Sequence, residues 1–388
     1  KHQTSANAWQ ARVYFEPQSE TDVLAIDVTE HAKYDVNGVI QTDLGGPKGG
    51  TVTMRLASDQ DNHVGAWGYI GTGAGYSEVK LESGGLRTGG YGLCIGGVGD
   101  DERFTGPVHP EGRLTMSGGQ LYVYADSAAQ PANSPTYGLL VGCCPVYTDT
   151  SKFYGSSVVG ELDISGGEVT NVYGFTLVGF GAAKGRIVQT GGFFGTSNNK
   201  PLAVGAYSGE GEWIVSNGVS QLRGQLYLGG ISSNDLGRVV SNDVYPDGIA
   251  GSKGRLEVAG GTFSCYQLYA GLESCHGSAV VEVGLGGELK TATVTGPEGS
   301  THAVTAALYD ASGVQVLAQQ HAEHGRLTGI IPQVFRHVDP GLTGIAGKEQ
   351  PAVSAQQQEH VPLLHSARFF RGHDRIAVRF APLEGVTG

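Results

Sequence analysis

The chain has 388 residues and a formal net charge of −12, with 39% hydrophobic and only 16% charged residues. That acidity argues against a nucleic-acid partner, whose binding needs clustered Lys and Arg. The length allows a large core, and no apolar run approaches the ~20 residues of a membrane span.

The 64 glycines are more than twice the usual share of about 7%. They lack the every-third spacing of collagen, so they read as corners.

The sequence opens on Lys1 with no leader or tag, as a processed, exported protein would or as a trimmed one would. Residues 1–75 are the least regular. Within them, 13–15, 23–28 and 52–56 alternate or run apolar and read as strands. They form either the first coils of the stack inferred below or a cap on it, because an open end exposes core and unpaired backbone. Gly71-Thr72-Gly73-Ala74-Gly75 lacks the strand–helix context of a phosphate loop and reads as a turn.

From residue 76 one phrase recurs: Gly, a polar residue, an apolar–polar alternation, Gly-Gly, then a further apolar residue. Gly112-Arg113-Leu114-Thr115-Met116-Ser117-Gly118-Gly119-Gln120-Leu121 is one copy and Gly160-Glu161-Leu162-Asp163-Ile164-Ser165-Gly166-Gly167-Glu168-Val169 another. Further copies surround Gly191-Gly192 and Gly260-Gly261, and weaker ones surround Gly84-Gly85, Asn217-Gly218 and Gly286-Gly287. Asn217 replaces the first Gly of its pair, an exchange expected of a residue at positive φ.

The pairs are spaced by 34, 48, 25, 26, 43 and 26 residues, so the basic unit is about 25 with insertions at 100–110, 126–136, 143–157 and 232–252. A second phrase follows each pair, as in Leu139-Leu140-Val141-Gly142 or Leu226-Tyr227-Leu228-Gly229. Period-two alternation points Leu114, Met116 and Leu121 inward and Arg113, Thr115 and Ser117 outward.

A unit of this kind cannot bury its own apolar face and must stack on its neighbours. The fold expected is all-β, a parallel β-helix over 76–296, with a less regular N-terminal segment over 1–75. An antiparallel sandwich or barrel is the competing architecture. It gives no reason for a Gly-Gly corner to recur.

The Gly-x-Leu-x-Val-x-Gly-Gly phrase resembles the repeats of bacterial autotransporter passengers and related secreted β-helix proteins of the pectin-lyase-like kind. The resemblance covers roughly residues 76–290 and implies a solenoid found in adhesins, surface-layer components and some enzymes. No counterpart of the pectin-lyase-like catalytic residues is recognised, and none is carried over.

From about residue 297 the corners stop. Residues 297–388 hold an extended stretch rich in Pro and a run, Arg375-Ile376-Ala377-Val378-Arg379-Phe380, that reads as a final strand. The expectation is a β-rich C-terminal cap or assembly domain, its strand pairing with its own domain or with a neighbour's edge.

Candidate site residues are few. Tyr122, Tyr124, Tyr227 and Tyr269 fall at outward places, where aromatics stack on sugar rings or partner proteins, or on one another between coils. Asp100, Asp101 and Glu102 cluster in an insertion and are candidate calcium ligands. Asp243 and Asp247 form a similar polar turn. Cys265 and Cys275 lie ten apart and are candidates to close a coil by a disulfide, while Cys143-Cys144 are adjacent.

The outward acids, among them Glu78, Glu82, Glu161, Asp163, Glu168, Glu257 and Glu282, are explained by solvation unless two come within the ~5–10 Å of a glycosidase pair. His321-Ala322-Glu323-His324 and His373-Asp374 lack the helical or paired context of a metal or acid–base site.

The function expected is an exported, non-catalytic structural or adhesive component of a cell surface or extracellular assembly, filamentous assembly included, with copies of itself and glycans as partners. A polysaccharide lyase or hydrolase and a carbohydrate-binding spike are the alternatives. No cofactor is expected apart from calcium.

Overall fold

The computed structural model describes residues 12–36, 41–90, 92–97, 109–125, 137–143, 157–181, 183–197, 199–231, 251–271 and 277–295. It also describes the strands Val304–Tyr309, Gln315–His321, Arg326–Thr328, Arg368–Gly372 and Arg375–Phe380. These residues build a parallel β-helix in which each coil contributes one strand to each of three sheets.

The first sheet stacks Val23–Glu30, Thr51–Ser58, Gly75–Leu81, Pro110–Met116, Val159–Ile164, Lys184–Gln189 and Glu210–Val215. It ends on the opening residues of two long strands, Lys253–Ala270 and Ser278–Thr295. The second sheet runs from Asp61–His63 through Gln120–Val123, Glu168–Asn171, Phe193–Thr196 and Val219–Gln221. The third runs from Arg12–Phe15 through Trp67–Thr72, Tyr137–Cys143, Leu202–Ala206 and Gln225–Leu228.

Register shows why the phrase repeats. Gly112 pairs with Gly160, Gly160 with Gly185, Gly185 with Gly211 and Gly211 with Gly254, in steps of 48, 25, 26 and 43 residues. The long steps enclose the insertions inferred at 126–136, 143–157 and 232–252, and that at 100–110 precedes Gly112; most of their residues lie outside the described ones. The strands on both sides keep register.

Stacking like on like makes inward columns, and the column Leu114, Leu162, Ile187, Trp213 and Leu256 is fully buried. Each such side chain is worth roughly 1.5–3 kcal/mol of transfer free energy. Leu114, Met116 and Leu121 point inward and Arg113, Thr115 and Ser117 outward, as the alternation requires.

The Gly-Gly corner works differently from the expectation at Asn217. The left-handed residue is the second of each pair: Gly119 at φ +71°, Gly167 at +77°, Gly192 at +65° and Gly218 at +91°. Asn217 holds the first position, outside the left-handed region, and its side-chain oxygen accepts a hydrogen bond from Gly218 N at 2.8 Å. At Gly166 and Gly191 the first position is set by close approach, since a Cβ there would meet the carbonyl oxygen of Ser117 or Ser165, whereas the coil of Asn217 accommodates one. The Gly84-Gly85 pair is offset by one, because Gly85 pairs with Gln120 and Gly84 is therefore the left-handed residue at φ +65°.

The strands at 13–15, 23–28 and 52–56 belong to the same stack. Arg12–Phe15 pairs in parallel with Gln41–Leu44, and Val23–Glu30 with Thr51–Ser58. At the far end, Arg375–Phe380 joins the first sheet antiparallel to Ser278–Thr295 and forms a hairpin with Arg368–Gly372. A reversed strand interrupts the parallel pattern there.

Candidate functional site

Three surfaces carry the polar and aromatic chemistry. The first is the outer face of the first sheet. One residue per coil, in register, reads Glu78, Arg113, Glu161, Arg186, Glu212 and Arg255, acid and base in strict alternation.

Arg113 Nη2 lies 2.5 Å from Asp163 Oδ2, and its Nε lies 3.7 Å from Glu161. Arg186 Nε lies 2.9 Å from Glu212. Arg255 binds Glu212 on one side, and its Nη2 lies 2.5 Å from both Glu257 and Glu282 on the other. Beside this row, Glu210 receives Lys253 at 2.6 Å and Lys184 at 3.7 Å.

The electrostatics follow. A hydrogen bond to Asp163 raises the Arg113 pKa above the ordinary guanidinium value. Burial opposes the charge on Arg255, but hydrogen bonds to Glu282 and Glu212, with the pull of Glu257, outweigh it and raise its pKa as well. The hydrogen bond from Lys253 holds the Glu210 carboxyl below its usual range.

Of the acids singled out from the sequence, Glu78, Glu82, Glu161, Asp163, Glu257 and Glu282 thus lie within one salt-bridged face, whereas Glu168 stands on the second sheet and accepts a hydrogen bond from Thr170. Asp163 and Glu257 share a column but are separated by Val188 and Ile214. At ~4.8 Å per coil they stand about 14 Å apart, beyond the reach of a glycosidase pair. Glu257 and Glu282 are register neighbours on adjacent coils, but both are bound to Arg255, and Glu257 is 4% exposed.

The second surface is aromatic and covers the outside of the third sheet. Tyr227 and Tyr269 are register partners and stack with centroids 4.8 Å apart at 20°. The Tyr227 hydroxyl donates to Gln225 at 3.0 Å, the Tyr269 hydroxyl to Gln267 at 3.1 Å, and Gln225 donates to Gln267 at 3.0 Å. The outward placement read from the sequence holds, yet Tyr227 is buried. It belongs to a second apolar cluster with Tyr69, Leu140, Phe175, Leu177 and Phe180.

Tyr122, on the second sheet, lies under the Arg87 guanidinium at 5.3 Å. Tyr124 stands exposed at the corner between the second and third sheets.

That corner holds the third surface, a cleft of about 550 Å³ lined by Asn199, Lys200, Pro201, Arg223, Gln225 and Tyr266. Lys200 sits over the Tyr173 ring at 5.4 Å, and Tyr266 is 60% exposed. Arg223 Nη1 donates to the Ser197 carbonyl at 3.5 Å. Among the described residues, no carboxylate lies within ion-pair distance of Arg223. Sequence reasoning passed over Lys200, Arg223 and Tyr266, because corner residues carry no periodic signal. The alternation around Cys265 is the signal that could have marked Tyr266 as outward.

Cys265 points into the core with a free thiol. Burial pushes that thiol up to about 12, a hydrogen bond with Thr291 opposing the rise. Its suggested disulfide partner Cys275 lies outside the described residues, as do Cys144, Asp243, Asp247 and the calcium candidates Asp100, Asp101 and Glu102. Among the described residues, no three His, Cys, Asp or Glu side chains gather in a metal-binding group. No helix there is long and apolar enough to cross a membrane.

The architecture therefore defines the class: a parallel β-helix whose coils are tied by a charge ladder on one sheet and an aromatic–amide stack on another. No family model matches the chain, and neither curated proteins nor solved structures give a match.

Proposed function

We propose that this protein is an exported, non-catalytic β-helix acting as a structural or adhesive component of a cell surface or extracellular assembly, in the manner of autotransporter passengers. The alternating row from Glu78 to Arg255 carries this reading. It commits Glu161, Asp163, Glu212 and Glu282 to ion pairs between coils, where an enzyme would keep an acid and a base open to substrate.

The N-terminal edge adds support. Among the described residues Val23–Glu30 pairs on one side only, with Thr51–Ser58, and Val23 is 71% exposed. A heterologous contact at such an edge, repeated without closure, builds a fibre.

Sedimentation velocity across a concentration series, with electron microscopy of the most concentrated sample, tests the reading. Growing, head-to-tail species are expected. Release of reducing ends or unsaturated sugars from acidic or neutral polysaccharides by the purified protein would replace it with the lyase or hydrolase reading.

A further inference from the structure

We infer that Arg368–Gly372 of one copy adds as a parallel strand to Val23–Glu30 of the next, so that the first sheet runs on from copy to copy. The inference rests on the assembly half of the function proposed above and names the two edges that join.

Strand direction sets the joint. Val23–Glu30 opens the first sheet, and at its far end Arg375–Phe380 runs antiparallel to Ser278–Thr295. Arg368–Gly372 is antiparallel to Arg375–Phe380 in turn. Two reversals restore the original direction, so the strand that ends the sheet is parallel to the strand that begins it. Among the described residues each of these end strands pairs on one side only. A parallel pairing like those between earlier coils therefore fits across a junction between copies. The two edges differ, so the contact is heterologous and a third copy can follow the second.

Register carries across the same junction. Ile26 begins the inward column of Met54, Val79 and Leu114, and that column leaves through Val281 and Val378 to the place of Phe369. Leu24 and Ile26 are only partly buried, whereas Val52 and Met54 beneath them are buried fully. A further strand would cover that apolar surface. The backbone is also ready. Thr51 N donates to the Asp22 carbonyl at 2.9 Å and Asp59 N to the Glu30 carbonyl at 3.0 Å. Even-numbered residues thus bond inward along the sheet, and Val23, Ala25, Asp27 and Thr29 turn their N–H and C=O groups to the open edge.

Charge selects head-to-tail over like-to-like contact. Val23–Glu30 holds Asp27 and Glu30 and no cation, while Arg368–Gly372 holds Arg368 and Arg371 and no acid. Two copies of either edge would repel; one of each attracts. In straight register Arg368 takes the place beside Ala25, which sets it diagonally about 8 Å from Asp27 between Cα atoms. An arginine side chain spans such a diagonal.

Sedimentation velocity of the full chain and three variants tests the inference, with circular dichroism as the check on folding. Ala25→Pro removes an N–H that faces the open edge and breaks no bond within the copy, so it is expected to stay monomeric where the natural chain grows. Asp27→Arg and Arg368→Asp are each expected to need at least about tenfold more protein to grow. Mixed in equal amounts they should grow again, because altered edges then meet altered edges and unaltered meet unaltered.

Growth of Ala25→Pro at the natural concentration overturns the inference. So do charge variants that grow unimpaired, or a mixture no better than its components. In each of those cases growth of the natural chain leaves the assembly reading standing with its joint elsewhere. A natural chain that stays monomeric at every concentration removes both.

Discussion

Arg255 joins three coils: its Nη2 lies 2.5 Å from Glu282 Oε2 on the coil that follows, and its Nη1 binds Glu212 on the coil before. The same guanidinium holds Glu257, 6% exposed at its side chain, at 2.5 Å. Removing the arginine leaves Glu257 and its register neighbour Glu282 as adjacent like charges with little water. Arg255→Met is therefore expected to cost about 3 kcal/mol, read from the urea midpoint. Adding Glu282→Gln should recover part of that loss, so the double variant is more stable than the single one. A double variant at least as unstable as Arg255→Met would show that the carboxylates do not repel.

Two glycines meet where each third-sheet strand turns into the next coil. Gly142 sits at φ +62°, and a Cβ there would land on the carbonyl of Lys184, while a Cβ at Gly185 would land on the carbonyl of Val141. Backbone cannot swing aside as a side chain can. Gly185→Ala is expected to destabilise by roughly 2–4 kcal/mol, through forced backbone shifts. Gly251 is the control. Its φ is +91°, but among the described residues nothing lies within 4 Å of its would-be Cβ, so Gly251→Ala should cost only the left-handed penalty of about 1–2 kcal/mol. Equal melting temperatures for the two variants would remove close packing as the reason for the repeated glycines.

Much of this was legible beforehand. Each coil repeats equivalent residue types at equivalent places, so period two and the glycine corners sufficed to read inward and outward positions and the coil length. Trp213 lies in the same inward column as Leu114, the position at which that rule expects an apolar side chain.

What the rule could not supply was compensation between sheets. Trp213 lies edge-on between Phe194 at 4.7 Å and Phe263 at 5.2 Å. Those rings stand on either side of Ser220 in the second-sheet column. Small Ser220 belongs to the coil of Trp213, and its hydroxyl donates to buried Gln189 at 2.5 Å. The charge ladder was hidden for a related reason. Arg113 and Glu161 are distant in sequence and meet only once the register, with its insertions, is known. The corner cleft was least legible, being made of residues whose identities the alternation leaves open.

The buried thiol of Cys265 gives a chemical test of the core. Its pKa of about 12 leaves almost no thiolate at neutral or mildly alkaline pH, and the thiolate is the reactive form. Alkylation followed by peptide mass spectrometry should leave Cys265 unmodified in the native protein and label it fully in denaturant. Rapid native labelling would mean that the third-sheet end of its strand opens, or that the side chain does not point inward.

Acid should loosen the exposed pairs that flank the ladder. The hydrogen bond from Arg55 lowers the Glu82 pKa, and that from Lys253 lowers the Glu210 pKa. A carboxylate lowered on folding contributes stability that is fully present above its unfolded value of about 4.3 and is lost as pH falls through the folded value. His63 acts in the same direction from a higher pH. Burial lowers its pKa, so protonation favours the unfolded chain once pH drops below about 6.5. The melting temperature should therefore decline gently below about pH 6.5 and steeply below about pH 4.3. Glu210→Gln should flatten the steep part.

Salt separates the two kinds of pair. Lys253 and Glu210 are 65% and 43% exposed, so ~1 M salt, with its screening length of about 3 Å, should erase their share. Arg255 and Glu257, at 32% and 6%, should keep theirs. A melting temperature constant from about pH 6 to pH 3 would mean that Glu82 and Glu210 are not perturbed by folding, and that their pairs with Arg55 and Lys253 do nothing to hold one coil on the next.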